Sequence, residues 1–192
     1  MTTKTIGSGT TISAGYDISA VSGLTLTNQG VLGGTNAAYA LRADTTGDAI
    51  YNSGKILASS VFSKGIFANQ SVRITNQPGG TINGGFGLYL LAGGTVTKAS
   101  GGLITGAGPV HARFAALAVR SQGVVTGTGT GTSASQAGVL LKAGGDVYNT
   151  FGASITGANG VYEGASPTVR DVRGRRDRRG GVASRHACHR RN

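Results

Sequence analysis

The chain has 192 residues, of which 35 are Gly and only 13% are charged. Gly at about one residue in five falls short of a collagen period, and an aromatic share of 6% without Trp is thin for the core of a compact enzyme. The formal charge of +11 sits mostly at one end: residues 1–165 hold nine Lys and Arg against five Asp and Glu, and residues 166–192 hold nine Arg against Asp171 and Asp177. No specific nucleic acid is therefore expected to bind the body of the chain.

Residues 1–23 read as a leading coil or cap, with short β-prone pairs at Thr5-Ile6 and Thr11-Ile12 between Gly turns. From residue 24 to residue 164 the chain repeats itself. Leu26-Thr27-Asn28-Gln29-Gly30-Val31 sets a pattern that returns at Ile50-Tyr51-Asn52, Ile74-Thr75-Asn76, Val96-Thr97-Lys98, Val119-Arg120-Ser121 and Val147-Tyr148-Asn149. Steps between the third residues are 24, 24, 22, 23 and 28. A second apolar segment follows in most copies, at Ala40-Leu41, Gly65-Ile66-Phe67, Gly87-Leu88-Tyr89-Leu90, Gly138-Val139-Leu140-Leu141 and Gly160-Val161-Tyr162. Residues 126–136, rich in Gly, Thr and Ser, account for the long step as a flexible loop.

Such a unit cannot bury its apolar side alone, but stacked on a copy of itself it can. The fold expected is all-β: a right-handed parallel β-helix of about six to seven coils with a step of about 24 residues, its strands about 4.8 Å apart from coil to coil. Leu26, Ile50, Ile74, Val96, Val119 and Val147 form the interior ladder, and Tyr51 and Tyr148, one residue later, point outward. Asn28, Asn52, Asn76 and Asn149 are assigned to a turn that tolerates left-handed backbone angles, where their amides stack as a structural ladder broken by Lys98 and Ser121. An antiparallel sandwich would explain the strands but not the constant step.

After Gly164 the composition changes abruptly. Residues 165–192 are expected to be disordered, because they lack the apolar groups to offset ordering entropy. They read either as a basic arm for phosphates or anionic lipid, or as the product of an out-of-frame translation. A nucleic-acid-binding function would rest wholly on this segment.

The φ-x-Asn-x-Gly-x-φ unit followed by Gly-Val-x-Leu and Gly-Gly resembles the passenger repeats of bacterial autotransporter-type surface proteins, most closely over Ala137–Gly164 and in all over about residues 20–164. The resemblance implies a stalk displayed on the cell surface or released from it, often in adhesion, with surface glycans or proteins of a host or neighbouring cell as partners. The membrane barrel and leader of that family do not occur in these residues, so the chain reads as a fragment of a larger surface protein. No run reaches the roughly 20 apolar residues of a membrane-spanning helix.

Carbohydrate-active β-helix enzymes are the alternative, and their chemistry needs grouped carboxylates. The body offers Asp17, Asp44, Asp48, Asp146 and Glu163, of which only Asp44 and Asp48 are neighbours, and these read as solvated turn residues. His111, the one His of the body, is assigned to a loop without a carboxylate partner. The single Cys188 excludes an internal disulfide, and with His186 and His189 it lies in the basic tail. No catalytic, cofactor or metal residue is assigned. Tyr51 and Tyr148 are the candidate surface contacts.

Overall fold

The computed structural model describes residues 2–35, 38–130, 133–150, 152–164 and 168–171. Each coil of the chain makes three short strands, and like strands of successive coils pair in parallel, so three sheets surround one interior. Parallel pairing requires a long return path between partners, and here the rest of the coil supplies it. The first sheet has eight strands: Thr3–Ile6, Thr25–Asn28, Ala49–Asn52, Val72–Asn76, Gly94–Lys98, Leu117–Ser121, Gly145–Asn149 and Thr168–Asp171. The second runs through Thr11–Ile12, Val31–Gly34, Lys55–Ala58, Thr81–Asn83, Leu103–Gly106, Val124–Gly127 and Ser154–Thr156. The third runs through Tyr16–Asp17, Tyr39–Arg42, Lys64–Ala68, Phe86–Leu90, Val110–Ala112, Val139–Leu141 and Val161–Glu163. The chain is thus a parallel β-solenoid of seven coils, numbered one to seven below, with one further strand.

Register follows the repeat. Leu26, Ile50, Ile74, Val96, Val119 and Val147 pair in succession and are buried. Leu32, Ile56, Ile82 and Ile104 do the same on the second sheet, and Leu41, Ile66, Leu88 and Val110 on the third. Each such Ile or Leu contributes about 1.5–3 kcal/mol by leaving water. Medium-sized branched side chains repeated at every rung fill this narrow interior, which is why few aromatic residues are needed.

The leading coil, Thr3 to Asp17, stacks on the second in the same register, with Lys4 in the place of Leu26 and Tyr16 in that of Leu41. The Lys4 ammonium lies 4.8 Å from the Tyr16 ring centroid, so a cation–π pair closes this end of the apolar interior.

Several expectations need correction. The Asn residues are not in the turn: they end strands of the first sheet, with Asn28, Asn52 and Asn76 buried. In the corners after Asn76, Lys98 and Asn149 the left-handed angles come from glycine, at Gly79, Gly101 and Gly152 with φ of 79°, 75° and 78°. His111 lies on a strand, Val110–Ala112, which Pro109 introduces and which carries no Gly-φ signature of its own. Thr168–Asp171, inside the segment expected to be disordered, pairs with Asp146 to Asn149 and sets Val169 opposite Val147. The remainder of that basic segment, with His186, Cys188 and His189, lies outside the described residues. The Gly/Thr-rich insertion is shorter than expected at its start, because Val124–Gly127 is a strand, and it includes a 3-10 turn at Ala134–Gln136.

Candidate contact face

Strand polarity decides which groups meet solvent. On the first sheet the residue before each Asn points outward, which puts Tyr51 and Tyr148 outside, Tyr51 half-buried and Tyr148 more exposed. They do not form one site. The outer row reads Tyr51, Thr75, Thr97, Arg120, Tyr148 in register, so four rungs, about 19 Å, separate the two rings.

Inside the same sheet, the Asn28 amide donates to Asn52 Oδ1 and the Asn52 amide to Asn76 Oδ1, each at 2.8 Å. Each amide also donates to a backbone carbonyl of the next coil, Lys55, Thr81 and Leu103 respectively. At the next rung Lys98 is buried, with its ammonium 3.0 Å from the Ala99 carbonyl, and burial lowers its pKa below 10.5. Ser121 bonds the Gly123 carbonyl and Asn149 that of Ala153, so both satisfy only their own coil. These groups hold the fold and face no ligand.

The carboxylates are similarly committed. Asp48 is buried, not solvated: it accepts from the Leu24 N–H at 3.1 Å and from the Thr45 hydroxyl. Asp44 accepts from Arg42 Nε and from the backbone and side-chain amides of Asn69 at 3.0 and 2.9 Å. Asp17 is exposed and 3.6 Å from Arg42. Glu163 stands in the register of Leu141 at the end of the third sheet, and burial raises its pKa. Among the described residues no three His, Cys, Asp or Glu side chains gather as metal ligands would.

The outer face of the third sheet is different. The residue after each inward apolar one points out, and in register this row reads Arg42, Phe67, Tyr89, His111, Leu140. Tyr39 and Phe67 stack with centroids 6.4 Å apart, and Phe67 and Tyr89 at 6.1 Å, with interplanar angles of 16° and 28°. Phe86 meets Tyr89 edge-on at 5.3 Å, and His111 packs on Tyr89 at 4.8 Å. Five rings from four coils thus make a continuous strip. Tyr39, Phe67 and Tyr89 stack from coil to coil and so cover one another's faces, a poor platform for laying a sugar ring flat.

Cations border this strip. Lys64 Nζ lies 5.8 Å from the Tyr89 centroid, and Arg113 Nη1 donates to the Tyr89 hydroxyl at 2.9 Å. Arg113 and Lys142 extend adjacent strands and are both exposed. His111 is buried, and neither ring nitrogen has a partner among the described residues. Burial, then the charges of Lys142 and Arg113, push its pKa down to about 4, so the ring is neutral at pH 7.

Sequence reasoning missed this face, although a signal was present in Gly65-Ile66-Phe67 and Gly87-Leu88-Tyr89. A β-strand alternates sides, so an aromatic residue directly after an inward one must face out. Comparison of the chain with protein-family models, with curated proteins and with solved structures finds no match in any of the three.

Proposed function

We propose that this solenoid is a non-catalytic, surface-displayed or secreted passenger segment with a structural and adhesive role, and that the outer face of its third sheet makes the contacts. One observation carries this reading. The groups suited to contact, aromatic rings and cations with no acidic partner among the described residues, collect along one face, whereas Asp44 and Asp48 are consumed by hydrogen bonds within the fold. A rod of repeated coils offers such a face as many weak contacts in a fixed line, and tethered contacts of this kind reinforce one another. The partners proposed are glycans or proteins of a host or neighbouring cell, and the bacterial cell surface is the proposed location.

The test is retention of cells on beads coated with the chain. Coats carrying Lys64→Gln together with Tyr89→Ala should retain several-fold fewer cells at equal coating. Equal retention by both coats would remove the third sheet from the reading. Cleavage of polysaccharides that disappears in an Asp44→Asn chain would instead establish the carbohydrate-active alternative.

A further inference from the structure

The most exposed large apolar side chains of the described residues are Phe62, Val61 and Phe114, at 78%, 72% and 69% of full exposure. All three lie on corners that border the third sheet. Val61 and Phe62 occupy the turn leading into Lys64–Ala68, and Phe114 follows Val110–Ala112 on the opposite border. Each border also carries a cation on the same face, Lys64 beside Phe62 and Arg113 beside Phe114, with Lys142 next along the axis. The two corners are two coils apart along the axis, about 10 Å. A flat surface laid on one side of a three-sided rod touches both bordering corners and the strip between them.

Apolar side chains that leave the protein surface, basic residues beside them and tyrosines between them are the groups that enter the interfacial zone of a lipid bilayer. The acids of this region do not cancel the charge: among the described residues the ion pairs are those of Arg42 with Asp17 and Asp44. From this juxtaposition we propose that the third sheet docks flat on an anionic lipid surface, with Phe62 and Phe114 inserted at its two borders and Lys64, Arg113 and Lys142 against the headgroups. Docking is peripheral, since among the described residues no helix is long and apolar enough to cross a membrane. The proposal rests on the contact-face reading above and puts the lipid of a cell surface in the place of the glycan or protein partner named there. An acidic polysaccharide would satisfy the cations but would leave three apolar side chains in water, which favours the bilayer.

The chain contains no Trp, so a single introduced one reports its own surroundings. Phe62→Trp and Phe114→Trp full-length chains would be mixed with vesicles of phosphatidylcholine, with and without phosphatidylglycerol. Both tryptophans should shift to shorter wavelength and be quenched by brominated acyl chains on the anionic vesicles only. A control at Val124→Trp, on the second sheet, should stay unshifted. Replacing Lys64 or Arg113 by Gln should weaken partitioning about five-fold each, the equivalent of about 1 kcal/mol per basic side chain near an anionic surface. Vesicle binding with no shift at positions 62 and 114 would assign attachment to the Arg-rich C-terminal segment and overturn the proposal. So would binding to a soluble polyuronate in the absence of vesicle binding. Either result, combined with intact cell retention on beads, would leave the contact-face reading standing. Loss of retention as well would remove both.

Discussion

Coils two to four and coils five to seven share one register and one kind of interior, but they are tied together differently at the same corner. In the first group Asn28, Asn52 and Asn76 each donate to the coil above, so a side-chain ladder runs along the axis beside the backbone ladder. In the second group Lys98, Ser121 and Asn149 bond carbonyls of their own coil. The lesson is that a solenoid position can be filled by several residue types without altering the fold, while only one type adds a bond between repeats. Stability in such arrays is a sum of repeat and nearest-neighbour terms, so the second group should open first. Amide hydrogen exchange slower in Ile50 and Ile74 than in Val119 and Val147 would bear this out; the reverse order would mean that the ladder is not what binds the coils.

Mutation can enlarge or erase the difference. The largest effect is expected for Ile74→Asp, which buries an unpaired charge where the side chain has no exposure and should cost more than about 4 kcal/mol. A thermal transition unchanged by it would reverse the assignment of the inward face. Asn52→Ala comes next, at about 2–3 kcal/mol, because it leaves one Asn28 N–H and the Asn76 Oδ1 unpaired as well as losing its bond to the Thr81 carbonyl; Ser121→Ala should cost only about 1 kcal/mol in denaturant unfolding. Two protonation effects follow in size. His111 titrates near 4 in the fold and at 6.5 when free. The unfolded chain therefore binds more protons between those values, and stability falls as pH drops through them, by about 1–2 kcal/mol after solvent screening. A His111→Phe chain should lose this slope, and an identical acid limb in both chains would refute the assignment.

Lys98 behaves alike at the other end of the scale. Its pKa is lowered in the fold, so the unfolded chain again binds more protons and stability rises with pH toward 10.5. Lys98→Asn should abolish that alkaline rise and gain about 1 kcal/mol at pH 7 by extending the ladder one rung beyond Asn76. Destabilisation by this substitution would show that the corner of coil five cannot seat an amide. Smallest of all, Tyr148→Ala should change unfolding free energy by under about 0.5 kcal/mol, as outward residues away from the strip do.

The interior was the legible part of the molecule in sequence form. Leu26, Ile50 and Ile74 lie at equal steps beside Asn and Gly, and period-two alternation then assigns inside and outside without further information. The third strand of coil five was not legible: Val110-His111-Ala112 follows Pro109 and has neither the flanking Gly nor the large apolar pair of its neighbours. The aromatic strip was hidden for another reason. Tyr39, Phe67, Tyr89 and His111 come together only through inter-coil register, and corners of unequal length change that register from one copy to the next. The roles of Asp44 and Asp48 were equally out of reach, since the groups that bind them, Asn69 and Leu24, belong to neighbouring coils. Local sequence carries the repeat, whereas contacts between repeats depend on how the corners are spaced.

The same architecture gives the chain a graded mechanical resistance. Neighbouring coils are joined by backbone pairing in the three sheets and, in coils two to four, by the amide ladder as well. Pulled from one end, coils should peel away singly, each releasing about 80 Å of extended chain for its roughly 24 residues. The unladdered coils should yield first and the laddered ones last, so that a load along the axis is absorbed in steps before the remaining coils give way.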